Sequence, residues 1–283
     1  MWWFDALTSG FSSTTHDAQL QYVRIVVGLA CLMKFIGSFP NGGWNRLDPG
    51  TYSRYLLIRG FGPRTGALVC RYYRPVLVVR LLSSLALTVG LAPNLAAAAV
   101  ALGLVFELSY LNRFNTIYLA LLCAALCCAG NLGAGIPNNG HDMSNKNTWA
   151  QFLIVLVTTN MYWNSAWIKA RSEHFRSGLL LAQWVQTGAR VRERLPYREF
   201  YYPRFIVQRI GNTGPASLQF WRTVAWAVIA LEFIVPIGLC FGPLRPFAIA
   251  AGVAMHLCFT ALLPRGLVGF SLGSIASYFA FVG

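Results

Sequence analysis

Acidic side chains are scarce in this chain. Nine Asp and Glu stand against 23 Lys and Arg in 283 residues, and charged residues make up 11% of the chain while 56% is hydrophobic. With a mean hydropathy of +0.51, the composition is too apolar for a soluble domain of this size and excludes the water-soluble globular class. The opening stretch MWWFDALTSGFSSTTHDAQL has no basic region leading into an apolar one. No cleavable signal peptide is therefore expected, and the first apolar span serves as the signal. The seven cysteines show no CxxC pairing. Most, including Cys123, Cys127 and Cys128, lie in apolar runs as small packing residues, which argues against a disulfide framework or a cysteine-held metal. Internal repeats and low-complexity tracts are also missing.

What the chain does have is long apolar runs. Eight of them, at roughly 19–39, 75–93, 94–112, 115–134, 149–168, 220–241, 245–263 and 266–282, approach the ~20 residues a helix needs to cross a bilayer. The fold expected is all-α, a polytopic transmembrane helical bundle of about 8 spans, with residues 1–283 as one domain. Breaks at Pro93-Asn94 and Gly242-Pro243 predict tight turns between antiparallel neighbours.

Six arginines fall between Pro40 and Arg74, and nine Lys or Arg between Lys169 and Gln219. With eight spans these segments read as two loops on one side, which the positive-inside rule makes cytoplasmic, with both termini outside. The plasma membrane is the expected location. This asymmetry, with attraction to anionic headgroups, accounts for the net charge of +14, so membrane lipid is an expected partner and nucleic acid is not. The stretch SGLLLAQWVQTGARVRERLPYREFYYPRF joins an apolar patch to a basic, aromatic one, predicting an interfacial cytoplasmic segment at about 170–219.

Ionisable residues within apolar runs are expensive in lipid and mark candidate sites. They are Arg24, Lys34, Arg80, Glu107, Glu232 and His256. Lys34 and Arg80 have stems long enough to snorkel to the headgroups, the reading favoured for both. A glutamate is too short for that, so Glu107 and Glu232 must be paired, hydrogen-bonded or protonated, and Arg24 can serve either. Pro236, one turn beyond Glu232, frees a helix carbonyl. His256 stands mid-span, suited to an interhelical hydrogen bond or to accepting a proton. No metal site is expected. Lys169 closes the fifth run. With twenty arginines and three lysines in the chain, a lysine here is the exception. A partly desolvated lysine can release its proton and act as a base, which arginine cannot; a membrane-edge anchor is the alternative.

Tyr162, Lys169, Phe175 and Gly178 follow the order Tyr, six residues, Lys, five residues, aromatic, two residues, Gly. This order resembles the signature of the HTTM family, the membrane domain of vitamin K-dependent gamma-carboxylase and its freestanding bacterial relatives. LEFIVPIGL resembles that family's Glu-then-Pro span, MHLCFTALLPRGLVGFSLGSIASY its closing span and YVRIVVGLACL its arginine-bearing first span. The resemblance implies a membrane-embedded enzyme or enzyme subunit acting on a peptide or lipid-soluble substrate, with a reduced quinone of the vitamin K type as cofactor.

One bacterial group of the family works with an accessory protein in maturing a sporulation-delaying peptide toxin, so a peptide substrate and an accessory protein are implied partners. By the same resemblance Lys169 and His256 are the catalytic candidates, and Arg24, Glu107, Tyr162 and Glu232 line a substrate or cofactor pocket. The chain departs from the gamma-carboxylase at Ala170, which stands where that enzyme has its basic lysine, and no large lumenal domain of the carboxylase kind is expected after the last helix. The alternative reading is a non-enzymatic membrane subunit or small-molecule transporter in which Arg24, Glu107 and Glu232 are structural ion pairs.

Overall fold

The computed structural model describes residues 7–8, 15–39, 43–111, 114–129, 132, 143–144, 149–194, 212–262 and 264–282. Ten helices are assigned among them: α1 (Asp17–Ser38), α2 (Tyr52–Val89), α3 (Pro93–Leu108), α4 (Phe114–Cys127), α5 (Trp149–Arg171), α6 (Glu173–Arg176), α7 (Leu179–Arg194), α8 (Pro215–Cys240), α9 (Arg245–Leu262) and α10 (Pro264–Ser277). Two 3-10 turns, Gly43–Asn45 and Tyr278–Phe281, accompany them. One two-residue ladder, β1 (Thr15–His16) antiparallel to β2 (Met143–Ser144), is the extended pairing among the described residues.

The chain divides into two compact units, Met1–Val157 with Val268–Gly283, and Thr158–Leu267. In the first unit α1 packs on α2, α2 on α3 and α3 on α4. Val23, Val27, Leu87, Val100 and Leu104 are fully buried between them. Leu82, Leu95 and Leu102 face outward at 63%, 72% and 70% exposure, the pattern of helices whose outer sides meet lipid rather than water. In the second unit α8 packs on α9, α7 and α6.

This is an all-α membrane protein. Gln19–Gly37, Tyr52–Val89 and Pro215–Cys240 are long and apolar enough to cross a bilayer, and Pro93–Leu108, Phe114–Cys127, Arg245–Ala261 and Gly266–Phe281 are shorter apolar helices.

The arginine-rich stretch before residue 75 departs from expectation. Most of the supposed loop is the first half of α2, two helical stretches joined by a kink at Gly62, where φ is +82°; Pro63 opens the second stretch and Pro75, which has no N–H to donate, lies within it. At ~1.5 Å per residue the stretch from Pro63 to Val89 alone extends about 40 Å, beyond the ~30 Å of hydrocarbon. A helix protruding into water has no need of an apolar face, so its arginines do not break it. Thr51 caps its start, accepting from the Arg54 N–H, and Gly90 in the left-handed region closes its end. His141, Asp142, Lys146 and the basic stretch 195–211 lie outside the described residues.

Candidate functional site

Polar side chains within the apolar helices gather in each unit. In the second unit, Tyr162, Ser165 and Lys169 are spaced three and four apart along α5 and share one face. The Lys169 ammonium forms an ion pair with Glu232 Oε1 of α8 and donates to Ser165 Oγ at 2.8 Å. Ser165 Oγ in turn donates to the same carboxylate oxygen at 3.1 Å. The Lys169 side chain is 24% exposed and that of Glu232 5%. Glu232 Oε2 is buried with no hydrogen-bond partner among the described residues. The centroids of the Phe175 and Phe259 rings each lie 5.7 Å from the amine, within range for attraction of a cation to a π face.

Seven residues before Lys169, the Tyr162 hydroxyl meets His256 Nε2 at 2.6 Å. The imidazole tautomer decides which of them donates. The His256 ring stands edge-on to Phe259, centroids 6.0 Å apart at 89°, so Phe259 touches both polar pairs.

The backbone around this site explains its geometry. Ser172 breaks α5 from α6 and accepts from the Phe175 N–H, turning Phe175 back toward Lys169. Gly178 follows in the left-handed region, φ +78°, and a Cβ there would stand 2.4 Å from the Arg222 backbone nitrogen. Glycine is required twice over, by conformation and by space. Pro236 cannot donate to the carbonyl of Glu232, and beside it Trp163 Nε1 donates to the Phe233 carbonyl at 3.4 Å.

In the first unit Glu107 of α3 is the centre. It accepts from Lys34 Nζ at 2.6 Å, from Arg80 Nη2 and from Thr116 Oγ1 at 3.1 Å. Arg80 also donates to the Tyr110 hydroxyl at 3.2 Å and lies 3.8 Å over the Phe35 ring. The expectation that Lys34 and Arg80 snorkel is thus corrected: both turn inward, because two cations around one buried carboxylate satisfy charges that lipid cannot. Arg24 stands apart from this cluster. It donates to the carbonyls of Leu87 and Thr88 at 2.8 and 3.2 Å, covering the last turn of α2 as a cation suited to a helix C-terminus.

Of the six residues singled out from the sequence, the structure joins Lys169 to Glu232 and Tyr162 to His256 in the second unit, while Glu107 and Arg24 belong to separate arrangements in the first. Ser165, Phe259 and Thr116 were missed. Ser165 carried a signal, its place four residues before Lys169 on the same helical face. Thr116 and Phe259 carried none. No group of three or more His, Cys, Asp or Glu among the described residues is placed to hold a metal ion.

With this geometry in hand, comparison with known proteins corrects the family assignment. The protein-family model for MauE, a membrane family described as methylamine utilisation protein MauE, matches residues 195–273. It is not HTTM, and the sequence signature's case for a carboxylase, a vitamin K-type quinone and peptide maturation falls with that assignment. No curated protein and no solved structure matches the chain. The matched segment carries Glu232 and His256, one member of each polar pair, and stops short of Tyr162 and Lys169. Over that segment, under a third of its length, the chain is similar to the MauE family of membrane proteins.

Proposed function

We propose that this chain is the membrane subunit of an enzyme, with Lys169 and Glu232 as a proton-transfer centre for an amine-bearing substrate reaching the site from the bilayer. The observation that carries the reading is an amine with a 24% exposed side chain touching a carboxylate with a 5% exposed one. A proton arriving at the outer amine has one contact to cross to reach the buried acid. Burial narrows the difference between the ion pair and the neutral amine–acid pair, since desolvation penalises the two charges. Glu232 Oε2 is then the oxygen available to give a proton to substrate or take one from it.

The description of the matching family supports the amine. A carboxylate that already holds an ammonium near two phenyl rings has the chemistry to bind a second. Tyr162 and His256 form a companion donor–acceptor pair on α5, which carries Lys169, and α9, which carries Phe259. An accessory protein supplying the rest of the active site belongs to this proposal, as does a plasma membrane crossed eight times with the basic segments cytoplasmic. The 16 and 14 residues of α3 and α4 reach only about 24 and 21 Å at ~1.5 Å each, so their crossings require local bilayer thinning or non-helical ends.

A non-enzymatic membrane subunit is the second reading, favoured by the Glu107 cluster, in which both carboxylate oxygens are paired as a structural lock would be. The two are separated by extracting and identifying the compounds that copurify with the protein in native-lipid discs, then following their turnover. The enzyme reading expects an amine-bearing compound whose turnover falls about 100-fold or more in Lys169→Arg, because general acid–base help of this size is lost when the proton cannot leave. Unchanged turnover in that variant, or an extract of phospholipid alone, overturns it.

A further inference from the structure

A second polar feature lies away from Lys169, where α6 meets the start of α8. A cleft of about 440 Å³ is lined there by Glu173, Arg176, Ser177, Gln219, Arg222 and Trp226, among others. A second hollow of about 690 Å³ shares Gln219, Arg222 and Trp226 with it and continues past Thr223, Ala227 and Ala230. The two therefore form one trough, charged at one end and, beyond Trp226, floored by two alanines of α8.

The charges at that end do not pair with one another. Among the described residues neither Arg176 nor Arg222 makes an ion pair, and Arg176 Nε is buried without a hydrogen-bond partner. Glu173 and Arg176 stand three apart on α6, the spacing at which helical charges meet, yet they do not pair. Two guanidinium groups and one carboxylate thus share a cleft without neutralising each other.

The sequence of α8 also points to a depth. The 26 residues of α8 span about 39 Å, more than the ~30 Å of hydrocarbon, and the polar Gln219 and Arg222 near its start mark that end as the one at headgroup level. Trp226, 46% exposed, lies one turn beyond Arg222, where tryptophan favours the membrane interface.

We infer that this trough binds a phospholipid whose headgroup carries both a phosphate and a primary ammonium, with an acyl chain lying past Trp226 over Ala227 and Ala230. Arg176 and Arg222 take the phosphate, for which the planar guanidinium is the best-matched side chain. Ser177 and Gln219 supply further hydrogen bonds. Glu173 takes the ammonium, which explains an acidic residue in a site otherwise built for an anion. A quaternary ammonium offers Glu173 no hydrogen bond, and a glycerol headgroup offers it no charge, so an ethanolamine headgroup is preferred over choline and glycerol.

The test is titration of the delipidated full chain in detergent with short-chain phosphatidylethanolamine, phosphatidylcholine and phosphatidylglycerol, read by native mass spectrometry. The ethanolamine lipid is expected to bind about tenfold more tightly than the other two, the size of one good charge-assisted hydrogen bond. Arg222→Gln lowers all three affinities about tenfold, and Glu173→Gln removes the preference for ethanolamine over glycerol. Because both side chains are unpaired, neither variant should change the melting temperature.

Ala227→Trp serves as a second probe: it fills the chain-binding end, weakening the lipid while leaving soluble glycerophosphoethanolamine bound. Equal affinity for the three lipids, or affinities unmoved by Arg222→Gln and Glu173→Gln, overturns the inference. Full displacement by inorganic phosphate together with indifference to Ala227→Trp reassigns the cleft to a free phosphate and also overturns it.

Discussion

Two buried glutamates differ in how completely they are satisfied. Glu107 has both oxygens engaged and three donors around it, whereas Glu232 takes Ser165 and Lys169 on one oxygen and leaves the other bare among the described residues. Replacing Glu107 by Gln strands Lys34 and Arg80 next to each other without their shared anion. Unfolding in detergent should show a loss of about 3 kcal/mol or more, the usual cost of breaking a buried pair from one side. Glu232→Gln should cost less, since the partly exposed Lys169 can turn its amine toward water. Equal losses in the two variants would argue against the contrast. Tyr162→Phe removes the hydroxyl that meets His256 and should cost about 1–2 kcal/mol by the same measurement, as for any buried hydrogen-bond partner left behind.

At this scale the sequence showed which ionisable residues stand within apolar runs. Charges in apolar runs named Glu107, Glu232, Lys169 and His256 without any structure, because lipid tolerates no unpaired carboxylate. It was silent about partners. Arg24 looked like the natural counter-ion, but pairing is decided by which helix faces meet, and Lys34 and Arg80 reached Glu107 instead.

Among the elements, glycine positions show how closely the helices are packed. A Cβ at Gly103 would stand 2.2 Å from Arg80 Cγ, so α3 offers the Arg80 side chain a path that only glycine leaves open. Gly103→Ala should displace Arg80 from Glu107 and cost roughly 2–4 kcal/mol, combining overpacking with a broken buried pair. Gly62 sits at φ +82° and ψ 165°, a conformation essentially reserved for glycine, with nothing within 4 Å of a new Cβ, so Gly62→Ala should cost only that backbone strain, about 1–3 kcal/mol. Thermal unfolding of the two variants side by side checks the order; a larger loss at Gly62 would contradict it.

The kink at Gly62 also shows what was hard to read. Five arginines between Arg54 and Arg74 suppress the apolar signal, and Pro63 and Pro75 suggest breaks, so the stretch reads as loop. Helix continues there because its side chains meet water or pack through Leu57, Val69 and Tyr73, and neither condition leaves a hydropathy peak. The turns at Pro93 and Gly242 were legible because a proline or glycine at a chain reversal acts locally.

For the molecule as a whole, composition identified the class, an all-α membrane protein, since no packing arrangement makes so apolar a chain soluble. The division into two units was not legible, because their boundaries fall inside α5 and α10 rather than at a polar linker. The short Tyr, Lys, aromatic, Gly pattern pointed to the wrong family because four residues in a helix and its following turn recur wherever a lysine ends a helix and a glycine reverses the chain.

The central claim is that Glu232 and Lys169 serve a substrate while the Glu107 cluster serves the fold. It is tested most directly by measuring the amine-bearing compound extracted from wild type, Glu232→Gln and Thr116→Val, each purified folded in native-lipid discs. The account predicts that Glu232→Gln loses the compound and Thr116→Val keeps it. Equal amounts in all three proteins would contradict it.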